Sequence, residues 1–254
     1  MHFWVIKSKH IKIFLLMLVT VAILAISTNG TSLASVFFGK TDRLLPIYCV
    51  ATEEKRVAIS FDAAWGADKT EGIISILKEY NANATFFLVG FWVDEYPEKV
   101  KAIDSAGLEI GTHSLTHPDM ALLSEKEIRE ELSISKQKIE DLIEKEVRFF
   151  RPPYGSYNDC LINVADSLGL KTIQWDTDSL DWKGLSAVNI ANRVVKKVKN
   201  GSIILMHNNS DNVLEGLRLI LSHLKEKGFS VGSVGELVYE SNFRIDNQGV
   251  QRAI

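Results

Sequence analysis

From Val57 onward, short apolar runs alternate with amphipathic stretches, and each run stops at a glycine or a polar residue. This alternation limits the possible folds more than any other feature. Residues 57–61 run into Asp62, 84–89 into Gly90, 108–111 towards His113 and 147–150 into Arg151. The last two, 171–175 and 202–206, run into Asp176 and His207. Runs of this length bounded by turn residues read as buried strands. Between them, helical spacing covers 70–80, 94–106, 158–168, 187–199 and 212–227. A longer helix opens at Ser124, with Glu127 three residues on as a capping box. A strand–helix pair over 229–239 completes the pattern. Strands alternating with helices imply parallel pairing through right-handed crossovers. Asp62, His113, Arg151, Asp176 and His207 each fall at or just after the end of a different run. In a barrel such ends converge on one mouth, whereas in an open sheet they spread along an edge. The expectation is a distorted, incomplete (β/α) barrel of about seven parallel strands.

The N-terminal part is of another kind. Lys7, Lys9, His10 and Lys12 precede an uncharged run over 13–35, whose apolar heart is 13–26. This reads as a signal peptide or a signal-anchor over 1–35, with the lysines kept inside and the remainder exported. Residues 36–55 read as a connector, 56–240 as the catalytic-type domain and 241–254 as a C-terminal tail. The formal net charge is −3, and the only basic side chains in the first 34 residues are three lysines unaccompanied by any acid. The remainder is therefore more acidic than the whole, which argues against a nucleic-acid partner. Cys49 and Cys160 are the only cysteines. They exclude a disulfide-dense scaffold and a four-thiolate zinc site, and leave room for one bridge.

Several side chains invite a chemical reading. His113 and His117 are four apart, a spacing that lets two imidazoles on one side of a helical turn grip a divalent cation. Gly111 and Pro118 bracket the pair, which places it on a short loop beyond a strand. Arg151-Pro152-Pro153-Tyr154-Gly155 is a rigid turn, and Asp178-Ser179-Leu180-Asp181-Trp182 places two acids beside an aromatic. Taken singly, Asp62 reads as a helix N-cap and His207 as a core histidine. Together, acids, imidazoles and an arginine at strand ends suit metal-assisted hydrolysis with general acid–base catalysis.

At these residues the chain resembles a known family. Ser60-Phe61-Asp62, His113-Ser114-Leu115-Thr116-His117, Arg151 to Gly155, Asp178 to Trp182 and Ile204-Leu205-Met206-His207 are similar to the five ordered motifs of the polysaccharide deacetylases. That family is also called the NodB-homology group or carbohydrate esterase family 4. Within it, the run 61–66 and the N-terminal segment most resemble the sporulation deacetylases of the PdaB type. The resemblance implies hydrolysis of N-acetyl groups on a cell-envelope polysaccharide, peptidoglycan, by an exported enzyme held at the membrane or secreted. It implies a divalent metal, zinc, on His113 and His117, with Asp62 as base and Arg151 orienting it. It further implies His207 as acid, tuned by Asp181, and a Tyr154 backbone N–H at the oxyanion. Trp182 and Leu205 match the pocket for the acetyl methyl.

One position departs from the pattern. Where the family carries a second aspartate as metal ligand, this chain has Ala63. The site loses a charge and a ligand, and Asp68 is the nearest carboxylate that could replace it. This departure carries an alternative reading, a weak or inactive barrel that binds glycan. Deacetylation of another acetylated glycan is the other alternative.

Overall fold

The computed structural model describes residues 9, 12–18 and 43–254. It divides into two units, Met1–Arg43 and Leu44–Ile254. In the first, residues 12–18 are helical. Most of the expected signal or anchor segment lies outside the described residues, and no described helix is long and apolar enough to cross a membrane.

The second unit is organised by the strand β2, Arg56–Ala63, which is buried from Val57 to its end. Alternation along β2 divides its side chains between two clusters. Val57, Ile59, Phe61 and Ala63 join a large cluster that includes residues of the surrounding helices. Ala58 joins a second cluster with Phe87, Phe149, Ile173 and Ile203. Ser60 and Asp62 share the parity of Ala58, so the inner face of the strand ends in a carboxylate.

Three strands follow in chain order, β3 (Thr85–Leu88), β4 (Glu109–Thr112) and β5 (Phe149–Phe150). The remaining strands of the sheet are β6 (Lys171–Thr172), β7 (Thr177–Asp178), β8 (Ile203–His207) and β9 (Ser230–Gly232). The sheet runs β6-β5-β4-β3-β2-β8-β7, with β9 added beside the start of β2. Every pairing in it is parallel. The seven strands of this path form an incomplete barrel, open between β6 and β7, as the alternation implies.

Helices wrap the outside. They are α1 (Thr70–Glu79), α2 (Gly90–Glu95), α3 (Pro97–Ser105), α4 (Glu125–Ile143), α5 (Asp159–Ser167), α6 (Ala187–Lys197), α7 (Val213–Glu226) and the short α8 (Val234–Leu237). The helix expected over 94–106 is divided at Tyr96, because Pro97 cannot continue the preceding hydrogen-bond ladder and starts a new helix instead. The capping box at Ser124 and Glu127 is present as expected.

The run 171–175 is not one strand. Pairing with β5 stops at Thr172, and the chain resumes as β7 against β8. Asp176 therefore sits where β7 begins, and its carboxylate accepts from Ile203 N–H and Ser202 Oγ–H at the opposite end of the barrel from the mouth. Part of the expected connector is also integral. Ile47 bridges Ile173, Cys49 bridges Ser202, and the strand β1 (Cys49–Val50) is buried. The expected tail folds into β10 (Phe243–Ile245) and β11 (Val250–Ala253). β11 pairs in parallel with β1 and antiparallel with β10. Both cysteines are free, Cys49 buried and Cys160 exposed, so no bridge forms between them. Burial, followed by the Asp176 charge, pushes the Cys49 thiol up to about 11.

Candidate active site

The strand ends open into one cavity of about 720 Å³ at the C-terminal mouth. Of the residues singled out from the sequence, Asp62, His113, His117, Tyr154, Asp181, Trp182, Leu205 and His207 line it, and Arg151 lies behind Asp62. Asp176 does not line it, for the reason given above.

Arg151 is wholly buried after β5. Its Nη1 donates to Asp62 Oδ1 at 2.8 Å and its Nη2 to the Gln174 carbonyl at 3.2 Å. The guanidinium also lies 4.2 Å from the Phe87 ring centroid and 5.5 Å from that of Trp175. Burial drives the Asp62 pKa upward, but the charge and hydrogen bond of Arg151, together with the neighbouring imidazoles, outweigh it and hold the carboxyl below its ordinary value. Asp62 is thus an ionised acceptor at the floor of the cavity.

His207 ends β8 beside it. Its Nδ1–H donates to Asp181 Oδ1 at 2.7 Å, and its backbone N–H donates to Asp181 Oδ2 at 2.8 Å. Asp181 is buried, and Leu180 reaches it through a left-handed backbone. With Nδ1 held in this way, Nε2 is the nitrogen left for the cavity. Burial pulls the His207 pKa down, but the hydrogen bond and charge of Asp181, then Asp62 and Asp178, leave it raised. The two sides of the site are therefore tuned in opposite directions, Asp62 towards the anion and His207 towards the cation.

The imidazoles of His113 and His117 lie 4.9 Å apart by ring centroids. The expected helical turn is absent. Ser114 and His117 adopt left-handed backbone at φ 73° and 61°, and Ser114 Oγ accepts from His117 N–H at 2.9 Å. From α4, Glu131 accepts from Leu115 N–H, Thr116 N–H and Thr116 Oγ–H, at 2.8, 2.9 and 2.6 Å. One helical turn on, Ser135 donates to the Ser114 carbonyl at 2.9 Å. A loop held by α4, rather than helical spacing, brings the imidazoles together.

His113 Nδ1–H donates to the Arg151 carbonyl at 2.7 Å, which leaves the Nε2 lone pair facing Asp62 Oδ2 at 3.5 Å. Burial lowers the His113 pKa, so this contact joins a neutral ring to a carboxylate and is not an ion pair. Burial, then the neighbouring His113, lowers His117 to about 4, and its buried Nδ1 has no hydrogen-bond partner. Two neutral imidazoles suit a cation, but a third ligand is missing. Ala63 is fully buried in the helix-facing cluster. Asp68 is exposed, acts on Tyr96 and does not line the cavity, so it does not replace the missing ligand. Among the described residues, no group of three His, Cys, Asp or Glu side chains is placed to hold a metal. The residues present do not fit a complete metal site.

The rim is aromatic. Trp65, Tyr154 and Trp182 are 63%, 70% and 59% exposed. Trp65 and Tyr154 meet His117 edge-on at 5.1 and 4.7 Å. Tyr154 itself has φ 59°, a left-handed turn after Pro153. The sequence reading did not assign Trp65, Trp175 or the polar run 208–211, all of which line the cavity. The signal for 208–211 was its position directly after His207. Gly66 explains the fit of that run: it has φ 64°, and a Cβ there would lie 2.5 Å from Asn209 Nδ2. Its carbonyl accepts from Asn208 Nδ2 and Trp92 Nε1 at 2.8 and 2.7 Å.

The family model for polysaccharide deacetylase matches residues 50–173. The Bacillus subtilis protein YlxY is 36% identical over 77% of this chain, although the match spans only 61% of YlxY. A peptidoglycan-N-acetylglucosamine deacetylase of Bacillus cereus is 34% identical over 74% of this chain and 91% of its own length. Among solved structures, a wild-type carbohydrate esterase family 4 pseudoenzyme from Bacillus anthracis superposes with a TM-score of 0.75 at 36% identity. That match covers 82% of this chain and 70% of the other. The chain belongs to the polysaccharide deacetylases of carbohydrate esterase family 4.

Proposed function

We propose that the protein hydrolyses N-acetyl groups on a cell-envelope glycan, peptidoglycan, in spore-forming cells, exported through its N-terminal segment. The observation that supports this most is the opposed tuning of two ion-paired dyads at one mouth, Asp62 with Arg151 and His207 with Asp181. A site that only binds has no use for a base and an acid held in opposite protonation states. In this reading Asp62 takes a proton from the attacking water, and the water oxygen bonds to the acetyl carbonyl carbon. The Tyr154 backbone N–H receives the developing oxyanion. His207 Nε2 then gives its proton to the departing amine as the C–N bond breaks, releasing acetate. Trp182 and Leu205 enclose the methyl, and each methylene of a longer acyl chain would cost about 1–3 kcal/mol in discrimination.

Ala63 favours a second reading, in which the barrel binds acetylated glycan without turnover. The family relationship to a pseudoenzyme supports this reading. The test is acetate release by purified residues 36–254 from peptidoglycan and from N-acetylglucosamine oligomers, with and without added zinc. Release by the wild type that His207→Ala abolishes supports the hydrolase. Binding of the oligomers with no acetate under any condition supports the binder.

A further inference from the structure

Resting on the hydrolase reading above, the crossing between β6 and β7 holds a side chain that the scheme does not use. Gln174 is 2% exposed and does not line the cavity. A buried carboxamide costs free energy that an apolar side chain of the same length would not, unless its polar atoms are bonded. Here Nε2 donates to the Gly155 carbonyl at 3.0 Å. The backbone of Gln174 meets two further groups. Its N–H donates to the Ile47 carbonyl at 2.8 Å, and its carbonyl accepts from Arg151 Nη2 at 3.2 Å. One residue therefore touches the arginine behind Asp62 with its main chain and the Tyr154 turn with its side chain.

That turn is held in an unusual conformation. Tyr154 and Gly155 are both left-handed, at φ 59° and 66°. The N–H groups of Gly155 and Ser156 close the turn onto the Pro152 and Pro153 carbonyls, at 3.1 Å each. A tyrosine in left-handed backbone persists only where its surroundings enforce it. On the solvent side, the exposed Tyr154 Oη donates to the His117 carbonyl at 3.4 Å, a long bond. On the buried side the contact is Gln174. Gly155 lies close against it: a Cβ there would stand 3.3 Å from Gln174 Oε1 and 3.1 Å from the Trp175 ring.

We propose that Gln174 is a positioning residue whose carboxamide, through the Gly155 carbonyl, fixes the direction of the Tyr154 N–H. Without that bond Tyr154 is free to leave its left-handed conformation, and the peptide carrying its N–H turns with it. The oxyanion forms only after water has attacked, so a misaimed donor weakens the transition state more than the bound substrate.

The test is acetate release and amide NMR on the full chain, with an N-acetylglucosamine tetramer as probe. The wild type is compared with Gln174→Met, which keeps the length of the side chain and removes its N–H. kcat is expected to fall about 10–100-fold while KM stays within about threefold. The acid limb of the rate profile should stay in place, because the backbone carbonyl that holds Arg151 remains. The tetramer should shift the Tyr154 amide proton in the wild type and far less in the variant. If Gln174→Met does not fold, Gln174→Asn, one methylene shorter, is read in the same way. A kcat within about threefold of wild type overturns the assignment, as does a loss carried by KM alone. A displaced acid limb also overturns it, since the loss would then come through Arg151 and Asp62. If the wild type binds the tetramer and releases no acetate, the hydrolase reading falls and the Tyr154 shift decides the positioning, equal shifts in both proteins overturning it. Failure of the wild type to bind the tetramer overturns both.

Discussion

Arg151, wholly buried, and Asp62, 7% exposed at the cavity floor, form a pair joined at 2.8 Å, with the guanidinium against Phe87 and Trp175. The arginine enters from the end of one strand and the aspartate from another, so the contact joins β5 to β2 across the barrel interior. Removing the arginine leaves the largely buried Asp62 carboxylate without its cation, at a cost of about 3–5 kcal/mol. Arg151→Ala is therefore expected to lower unfolding free energy by about that amount. Arg151→Lys should recover only part of it, because one ammonium cannot serve both Asp62 and the Gln174 carbonyl. Urea unfolding of the two variants checks this, and a loss below about 1 kcal/mol in both would contradict it.

His207→Ala and Asp181→Asn should both lower acetate release, and His207→Ala should also lower melting, because it leaves the buried Asp181 carboxylate without its imidazole partner. Removal of the acid is expected to cost about 10²–10⁴-fold. Asp181→Asn keeps an oxygen for the His207 N–H but loses the charge, so its effect should be smaller. Turnover by His207→Ala within threefold of wild type would remove the acid from the scheme.

The same pair sets a pH dependence. In the proposed scheme activity needs Asp62 ionised and His207 protonated, so the plateau is expected between a lowered carboxylate value and a raised imidazole value. The alkaline limb should fall above the ordinary histidine value of 6.5. In Asp181→Asn that limb should shift to lower pH. Stability follows the same sign. The contribution of His207 is fully present below 6.5 and is lost as pH rises through its raised folded value. The contribution of Asp62 is present above 3.8 and is lost as pH falls through its lowered value. Rate profiles of the wild type and Asp181→Asn, with melting curves across the same range, separate these effects.

Ala63→Asp tests the missing ligand. Ala63 lies in an apolar cluster, so an added carboxylate should lower the melting temperature of the metal-free protein. With zinc present the loss should reverse, because metal and carboxylate neutralise one another. Zinc affinity should rise by at least tenfold and acetate release should increase. Asp68→Ala should change neither, since Asp68 does not line the cavity. Calorimetry with zinc on the wild type and both variants decides the matter.

Glu131→Ala should loosen the histidine loop without unfolding the barrel. Hydrogen bonds to a charged acceptor contribute about 1.5–3 kcal/mol each when buried, and less at a half-exposed position such as this. Amide exchange at Leu115 and Thr116 should accelerate markedly while exchange in β2 stays slow. Unchanged protection at 115 and 116 would show that Glu131 does not hold the loop.

The parallel barrel was legible because buried parallel strands read as continuous apolar runs, and the polar residue closing each run marks the mouth. Asp62, Arg151 and His207 follow directly from that rule. It failed at 171–175, where one expected strand covers β6, a bridge from Ile173 to Ile47 and the approach to β7. Nothing in Ile173-Gln174-Trp175 announces that pairing changes partner there. The His113–His117 pair was expected on a loop beyond a strand and lies there, but its spacing also suggested a helical turn, because period alone cannot register Ser114 in left-handed backbone. Glu131 was invisible for a different reason: it reads as one more acid on a charged helix, and only the folded contact shows what it accepts. The pairing of β1 with β11 was equally hidden, since short edge strands carry almost no periodicity.

That pairing has a consequence for how the domain assembles. Cys49 and Val50 find their partners at Val250 and Gln251, with almost the whole barrel sequence between them. Contacts this remote must wait for a large loop to close, so they form late and add to the contact order that slows folding. A nascent chain can collapse its strands and helices while this latch is still undone. A protease that trims the latch would then release Ile47 from Ile173 and expose the gap between β6 and β7. Resistance to such trimming, rather than the melting temperature alone, would then govern how long the barrel survives among proteases.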